Sequence, residues 1–224
     1  MSHFFSRVRM LPVAHQQPWF RELVCHGEAY RDHAIVWKLF PGNDVPRDFV
    51  FRALEEPGTY FVVSARMPKS SADLFEVQSK PYLPRLSEGD WLQFDLRANP
   101  TVSIRPEGDS AGKTRSRRHD VLMHAKRFTA PGGDIAAAME TAGRNWIMSR
   151  APAWGVEVIE ESLQQNGYCQ HRLQHKGRRI EFSSLEYRGL VRVTDAVSLR
   201  IALLQGVGHA RGFGCGLLLV RRMN

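Results

Sequence analysis

Apolar and polar positions alternate through "HFFSRVRML" (residues 3–11), the period of a strand with one face buried. From Pro18 to Phe40 the period lengthens to that of a helix. Phe20, Leu23 and Val24 share one face, Gly27 interrupts, and Tyr30, His33, Trp37 and Phe40 follow at 3-4-3 spacing until Pro41-Gly42-Asn43 closes the run. "DFVFRALEE" and "GTYFVVSARM" are β-rich runs joined at Pro57-Gly58, which predicts a hairpin. A second helix is expected around Ser71 to Gln78, and "DWLQFDLRANP" is a further strand ended by Pro100.

Periodicity stops over residues 106–119, "PEGDSAGKTRSRRH", a polar and basic tract expected to be a mobile segment between two halves. The second half repeats the first in outline. A helical run spans Asp134 to Arg150, and strands are expected near Val156 to Leu163, Tyr168 to Leu173 and Ile180 to Val193. "TDAVSLRIALLQG" then reads as a helix with Thr194 or Asp195 as its cap, an apolar face of Val197, Ile201 and Leu204, and Gly206 as its stop. "GLLLV" is the last strand. The expected architecture is α+β, two tandem ferredoxin-like (βαββαβ, RRM-like) domains: 1–105, a basic linker over 106–132, and 133–224.

Charge sharpens this picture. Lys and Arg outnumber Asp and Glu by 31 to 23, a net +8, which favours a polyanionic partner such as nucleic acid. No apolar run approaches the roughly 18 residues of a membrane span, and the N-terminus lacks a secretory apolar stretch, so a soluble cytoplasmic protein with no membrane partner is expected. Cys25, Cys169 and Cys215 include no CxxC pair, which argues against a disulfide framework or a Cys-based zinc site. No HExxH or other ligand-like histidine spacing occurs, so no metal and no cofactor is expected.

The densest glycine cluster, "LLQGVGHARGFGCGLLL" (203–219), lies between the last helix and the last strand. A dinucleotide fingerprint needs the opposite order, strand then helix, and its third glycine is replaced here by Arg211. A helix cap followed by a plain turn explains Gly206 alone. The paired spacing Gly206-x-Gly208 and Gly214-x-Gly216 would let backbone amides approach an anion, with His209 and Arg211 reaching over it.

The stretch "QGVGHARGFGCGLL" resembles the C-terminal glycine-rich motif of the CasE family, crRNA-processing endoribonucleases of type I-E Cascade within the RAMP superfamily. "YRDHAIVWKLFP" (30–41), "RDFVFR" (47–52) and "LRANP" (96–100) are similar to further stretches of that family, in the family's order. A longer lead-in, residues 12–28, departs from its pattern. The resemblance implies two ferredoxin-like domains, CRISPR repeat RNA and other Cascade subunits as partners, and a catalytic Tyr-x-x-His pair matching Tyr30 and His33.

The residues themselves allow that chemistry. RNA can be cut without metal by its own 2′-OH if one group removes that proton, another protonates the leaving 5′-oxygen, and positive charge stabilises the phosphorane. Histidine suits either proton role at neutral pH, and Tyr30 and His33, three apart on a helix, share a face. Read without the family, the favoured reading is that His33 is a partly buried helix residue with Tyr30 as its packing neighbour, one of nine histidines. A cationic helper is needed as well; Arg31 and Lys38 are near in sequence. Lys113, Arg115, Arg117 and Arg118, and then Lys176, Arg178 and Arg179 at the turn "QHKGRRIEF", are the candidate contacts to an RNA stem, whose A-form duplex offers phosphates and shape. Cleavage of pre-crRNA at a stem-loop, leaving a 2′,3′-cyclic phosphate or 3′-phosphate, with the product held in Cascade, is the expected function. The alternative is a non-catalytic RNA-binding subunit of the same superfamily.

Overall fold

Strand β1 (Phe4–Met10) buries Ser6, Val8 and Met10 and turns Arg7 and Arg9 outward, as its alternation requires. Two helices follow, α1 (Pro18–Val24) and α2 (Glu28–Trp37), then β2 (Phe49–Ala53), β3 (Thr59–Ser64) and β4 (Phe75–Pro81). All pairings in this sheet are antiparallel, in the order β2-β3-β1-β4. That is the ferredoxin-like order, with the first and third strands in the middle. The protein is described by a computed structural model over residues 3–42, 45–70, 74–104, 117–175 and 178–223.

The lead-in of residues 12–28 is not an idle insertion. Trp19, Phe20 and Leu23 of α1 pack against a core of Val8, Ile35, Leu39, Phe51 and Val62 between α2 and the sheet. The helix expected around 71–78 is not there: residues 75–81 are β4, and 71–73 lie outside the described residues. Phe75 is buried while Glu76 pairs with Arg9 across β1, so the relevant period is two, and it is read only once β1 lies alongside.

The second sheet is built from β5 (Trp91–Ala98), β8 (Val156–Val158), β9 (Gln164–His175), β10 (Arg178–Val193) and β11 (Leu218–Arg222), in the order β11-β5-β10-β8 with β9 on the far length of β10. Between β5 and β8 come a small hairpin, β6 (Thr101–Ile104) with β7 (Arg117–Asp120), and helices α3 (Val121–Phe128) and α4 (Ile135–Arg150). Helix α5 (Ala196–Gln205) precedes β11. With β5 as first strand this is again the ferredoxin-like order. The change of sheet therefore falls between Pro81 and Trp91, whereas the sequence reading kept β5 with residues 1–105; its partners, β10 and β11, are some 90 or more residues downstream and leave no local trace. Residues 117–119 of the basic tract are β7, paired with β6.

Asp195 caps α5, accepting from the amides of Val197 and Ser198. The buried stripe of α5 is Leu199, Ala202 and Leu203, while Val197 and Ile201 are 64% and 50% exposed. Of the expected face only Leu204 packs inward, against Val50, Val63 and Leu217; the helix is apolar nearly all round, so its sequence holds two stripes and packing selects between them.

The two sheets are joined by an apolar seam of Val50, Val63 and Leu217 and by an ion cluster. Buried Arg52 of β2 donates to Asp95 of β5 at 2.5 Å and to Glu186 of β10 at 2.7 Å; Arg97 also pairs with Glu186 and Arg188 with Asp95. The result fixes α2 against the glycine-rich loop of the other half.

Candidate active site

Helix α2 begins at Gly27, where a Cβ would come within 2.7 Å of Leu173 Cδ2, so the helix starts hard against β9. Ile35, Val36, Leu39 and Phe40 anchor the helix and its exit in the core, leaving Tyr30 and His33 half-buried, with His33 turned toward the second half. Next to His33, Asp32 accepts a hydrogen bond from Tyr60 Oη at 2.8 Å, pinning the helix to β3. Burial raises the Asp32 pKa, although the Tyr60 hydrogen bond works the other way.

His33 Nδ1 lies 2.6 Å from the carbonyl oxygen of Gly212, 179 residues away in the chain. A carbonyl only accepts, so Nδ1 carries the proton and a neutral imidazole holds its lone pair on Nε2. Aromatic neighbours fix the ring plane: Phe213 at 5.5 Å between centroids, Trp37 edge-on at 6.2 Å, and Tyr30 at 6.2 Å. A histidine clamped at Nδ1 and presenting Nε2 is arranged for proton transfer.

The cation beside it is Arg47. A Cβ on Gly212 would lie 2.6 Å from Arg47 Nη1 and 3.6 Å from His33 Nδ1, so guanidinium and imidazole flank the same glycine. Partial burial, and then the charge of Arg211, lower the Arg47 pKa. Two like charges held together in this way favour an anion between or beside them. The helpers suggested by sequence proximity are engaged elsewhere: Arg31 reaches Glu28 at 3.7 Å, and Lys38 lies 5.2 Å over the Trp19 ring. Arg47 opens the "RDFVFR" stretch, which was the available signal; Gly212 was visible only as the residue between the paired glycines, and its neighbours across space are what tie it to His33.

The paired glycines work mainly on each other. Gly206 and Gly216 have φ of +73° and +86°, and a Cβ on Gly216 would meet the Val207 oxygen at 2.2 Å. The Gly206 amide bonds Ala202 O and the Gly216 amide bonds Arg97 O, so these amides hold the loop's own shape. Among the described residues, a Cβ on Gly208 would meet nothing within 4 Å and one on Gly214 would meet only the Phe51 ring. Arg211 Nη1 caps the end of α5 on Gln205 O at 2.9 Å. His209 has its pKa lowered, chiefly by burial and then by Arg118 and Arg211, which places it within a basic cluster.

Of the basic candidates, Arg118 lies on β7 and Arg179 on the β9-β10 hairpin, exposed and paired with Glu181. The strand bounds include Arg117 and Arg178, while Lys113, Arg115 and Lys176 lie outside the described residues. Among the described residues no group of three or more His, Cys, Asp or Glu is placed to hold a metal ion. Among the same residues no helix is long and apolar enough to cross a membrane.

The Escherichia coli (strain K12) protein "CRISPR system Cascade subunit CasE" is 27% identical over 209 residues, 89% of this chain and 92% of that protein. The Thermus thermophilus protein "CRISPR-associated endoribonuclease Cse3" is 23% identical over 197 residues, 83% and 79% of the two chains. A solved structure of Thermus thermophilus Cse3 bound to an RNA representing a pre-cleavage complex matches with a TM-score of 0.69 at 19% identity, covering 99% of this chain and 100% of that one. The family model described as "CRISPR associated protein" matches residues 3–222, the whole of both sheets, and the chain therefore belongs to that family of CRISPR-associated proteins.

Proposed function

We propose that this chain is an endoribonuclease that cuts CRISPR repeat RNA at a stem-loop without a metal ion. The observation that carries this reading is the hydrogen bond from His33 Nδ1 to Gly212 O, which assigns the lone pair of a neutral imidazole to Nε2, at a glycine that the Arg47 guanidinium also approaches. The substrate's 2′-oxygen bonds to phosphorus as the P–O5′ bond breaks. One proton leaves the 2′-OH and one reaches O5′, giving a 2′,3′-cyclic phosphate and a 5′-OH. His33 Nε2 performs one of these transfers, and Tyr30, on the same helix face, brings its hydroxyl to the phosphate as the second group. Arg47, with Arg211 behind it, supplies the positive charge that a phosphorane demands.

The relatives support the substrate. One is named an endoribonuclease and has been solved with an RNA representing a pre-cleavage complex; the other is named a Cascade subunit. By that likeness the chain retains its cut product and joins such a complex. The β9-β10 hairpin, with Arg179 exposed near its tip, is the element shaped to enter a groove of the RNA stem.

The test is gel analysis of repeat hairpin RNA incubated in EDTA with wild type and with His33→Ala. The wild type is expected to cut. The variant should lose on the order of 10³-fold in rate, within the range of one general acid or base, while binding the hairpin nearly as well. Strict dependence on Mg²⁺ or an active His33→Ala would refute the mechanism; binding without cleavage by the wild type would leave an RNA-binding subunit.

A further inference from the structure

Two consecutive residues of the glycine-rich loop touch His33: Gly212 through its carbonyl oxygen at 2.6 Å, and Phe213 through its ring at 5.5 Å between centroids. Both belong to one short turn, Arg211–Phe213, entered through Ala210 at φ +54°. A left-handed backbone is disfavoured for a residue with a Cβ, and it persists only where surrounding contacts impose it. Among the described residues Ala210 is the one non-glycine that adopts it. The turn that sets the imidazole is therefore a strained one, and something must hold it.

The holding contact comes from the second sheet. The Phe182 ring of β10 stacks on Phe213 at 5.2 Å and 21°, and His171, directly opposite on β9, stacks on Phe182 at 4.5 Å and 18°. His171 is fixed in turn by a 2.9 Å hydrogen bond between its Nε2 and Ser184 Oγ. Four rings thus follow one another from the β9-β10 hairpin to His33. Neither Phe182 nor Phe213 belongs to the apolar cores of the two halves or to the seam between them, so this column does not serve to bury either sheet. Its inner end meets the imidazole. Its outer end, His171 opposite Phe182, lies four residues from the last paired positions of the hairpin, His175 and Arg178.

We propose that Phe182 is a positioning residue for cleavage: by holding Phe213 it sets the turn, through the turn it sets the His33 ring, and it makes that setting depend on the hairpin. This rests on the proposed RNA-cutting function and adds to it the residue that links the stem-binding element to the proton-transfer group. The effect of Phe182 on His33 passes through Phe213.

Single-turnover cleavage of repeat hairpin RNA, followed against protein concentration, separates the rate at saturation from the concentration that gives half of it. Phe182→Leu keeps an apolar side chain on the strand and removes the planar ring; Phe182 is only partly buried, so the variant should fold. Its saturated rate should fall on the order of tenfold, as for a catalytic group slightly misplaced, while the half-saturating concentration stays within about twofold of wild type. Phe182→Tyr keeps the stack, and its hydroxyl has room because Phe182 lines a cavity of about 580 Å³. That variant should cut within about twofold of the wild-type rate. In a His33→Ala background Phe182→Leu should add less than about twofold, since the group it positions is gone. His171→Leu, which removes only the outer ring, is the milder second variant and should lower the saturated rate about threefold. Wild-type rates in both leucine variants, a Phe182→Leu loss that raised protein concentration restores, or a loss that multiplies in full with His33→Ala overturns the positioning role while cleavage stands. A wild type that neither binds nor cuts the hairpin removes the proposed function together with it.

Discussion

Helices α2 and α4 hold equivalent places in the two halves, each crossing from the first strand of its sheet to the second, but their polar groups are used differently. On α4, Arg144 donates to the carbonyls of Leu163 and Glu160 and Trp146 Nε1 to that of Thr101, all within its own half. On α2, His33 reaches across to Gly212 of the other half. One helix braces its sheet; the other turns its functional groups toward the seam. The candidate site is consequently shared: Tyr30, His33 and Arg47 come from the first half, while Gly212 and Phe213 come from the second.

After loss of His33 itself, removing the first half's cation should have the largest effect. Arg47→Ala is expected to slow cleavage on the order of 10²-fold or more, as for loss of one preorganised charge-stabilising group, with hairpin binding weakened only a few-fold. Arg47→Lys should recover part of the rate, because a point charge replaces the planar fork. Single-turnover rates at saturating protein read both variants. An Arg47→Ala enzyme within a few-fold of wild type would show that the charge at the seam comes from elsewhere.

The seam's mechanical role is tested at Arg52. Truncating one partner of a buried ion cluster typically costs about 3–5 kcal/mol, but here Glu186 keeps Arg97 and Asp95 keeps Arg188. We expect about 2–3 kcal/mol for Arg52→Ala, read as a lower urea midpoint, with the two halves' transitions separating. An unchanged midpoint would mean that the apolar seam of Val50, Val63 and Leu217 holds the halves unaided.

These residues also show what a linear reading reaches. Strands β1, β2, β3 and β11 and helices α2, α4 and α5 announce themselves through local period and caps, whereas spacing puts Tyr30 and His33 on one helix face and only the family resemblance raises them above packing residues. Chain-distant pairing is where legibility ends. The membership of β5 in the second sheet depends on β10, and the β4 alternation becomes meaningful only against β1. Arg47 lies between α2 and β2 in a stretch without periodicity, and its relation to His33 runs through Gly212. The glycine cluster was visible, but its paired glycines turned out to shape the loop, and the central one, outside the pairs, meets the histidine.

Gly212 therefore offers the finest test of the comparison. It does not have a positive φ, so alanine there carries no backbone strain, and the Gly212 carbonyl that holds His33 remains. What alanine changes is space: its Cβ would stand 2.6 Å from Arg47 Nη1, too close for the guanidinium to stay, but only in ordinary contact with His33 Nδ1 at 3.6 Å. The flexible arginine yields and the clamped histidine does not. Gly212→Ala should lower the cleavage rate by about tenfold, less than Arg47→Ala because the charge is displaced rather than deleted, with an unchanged thermal midpoint. Combined with Arg47→Ala it should add little, since both act through the same guanidinium. A full additional tenfold in the double variant would show that Gly212 acts on His33 directly, and the two halves would then meet at a single residue pair.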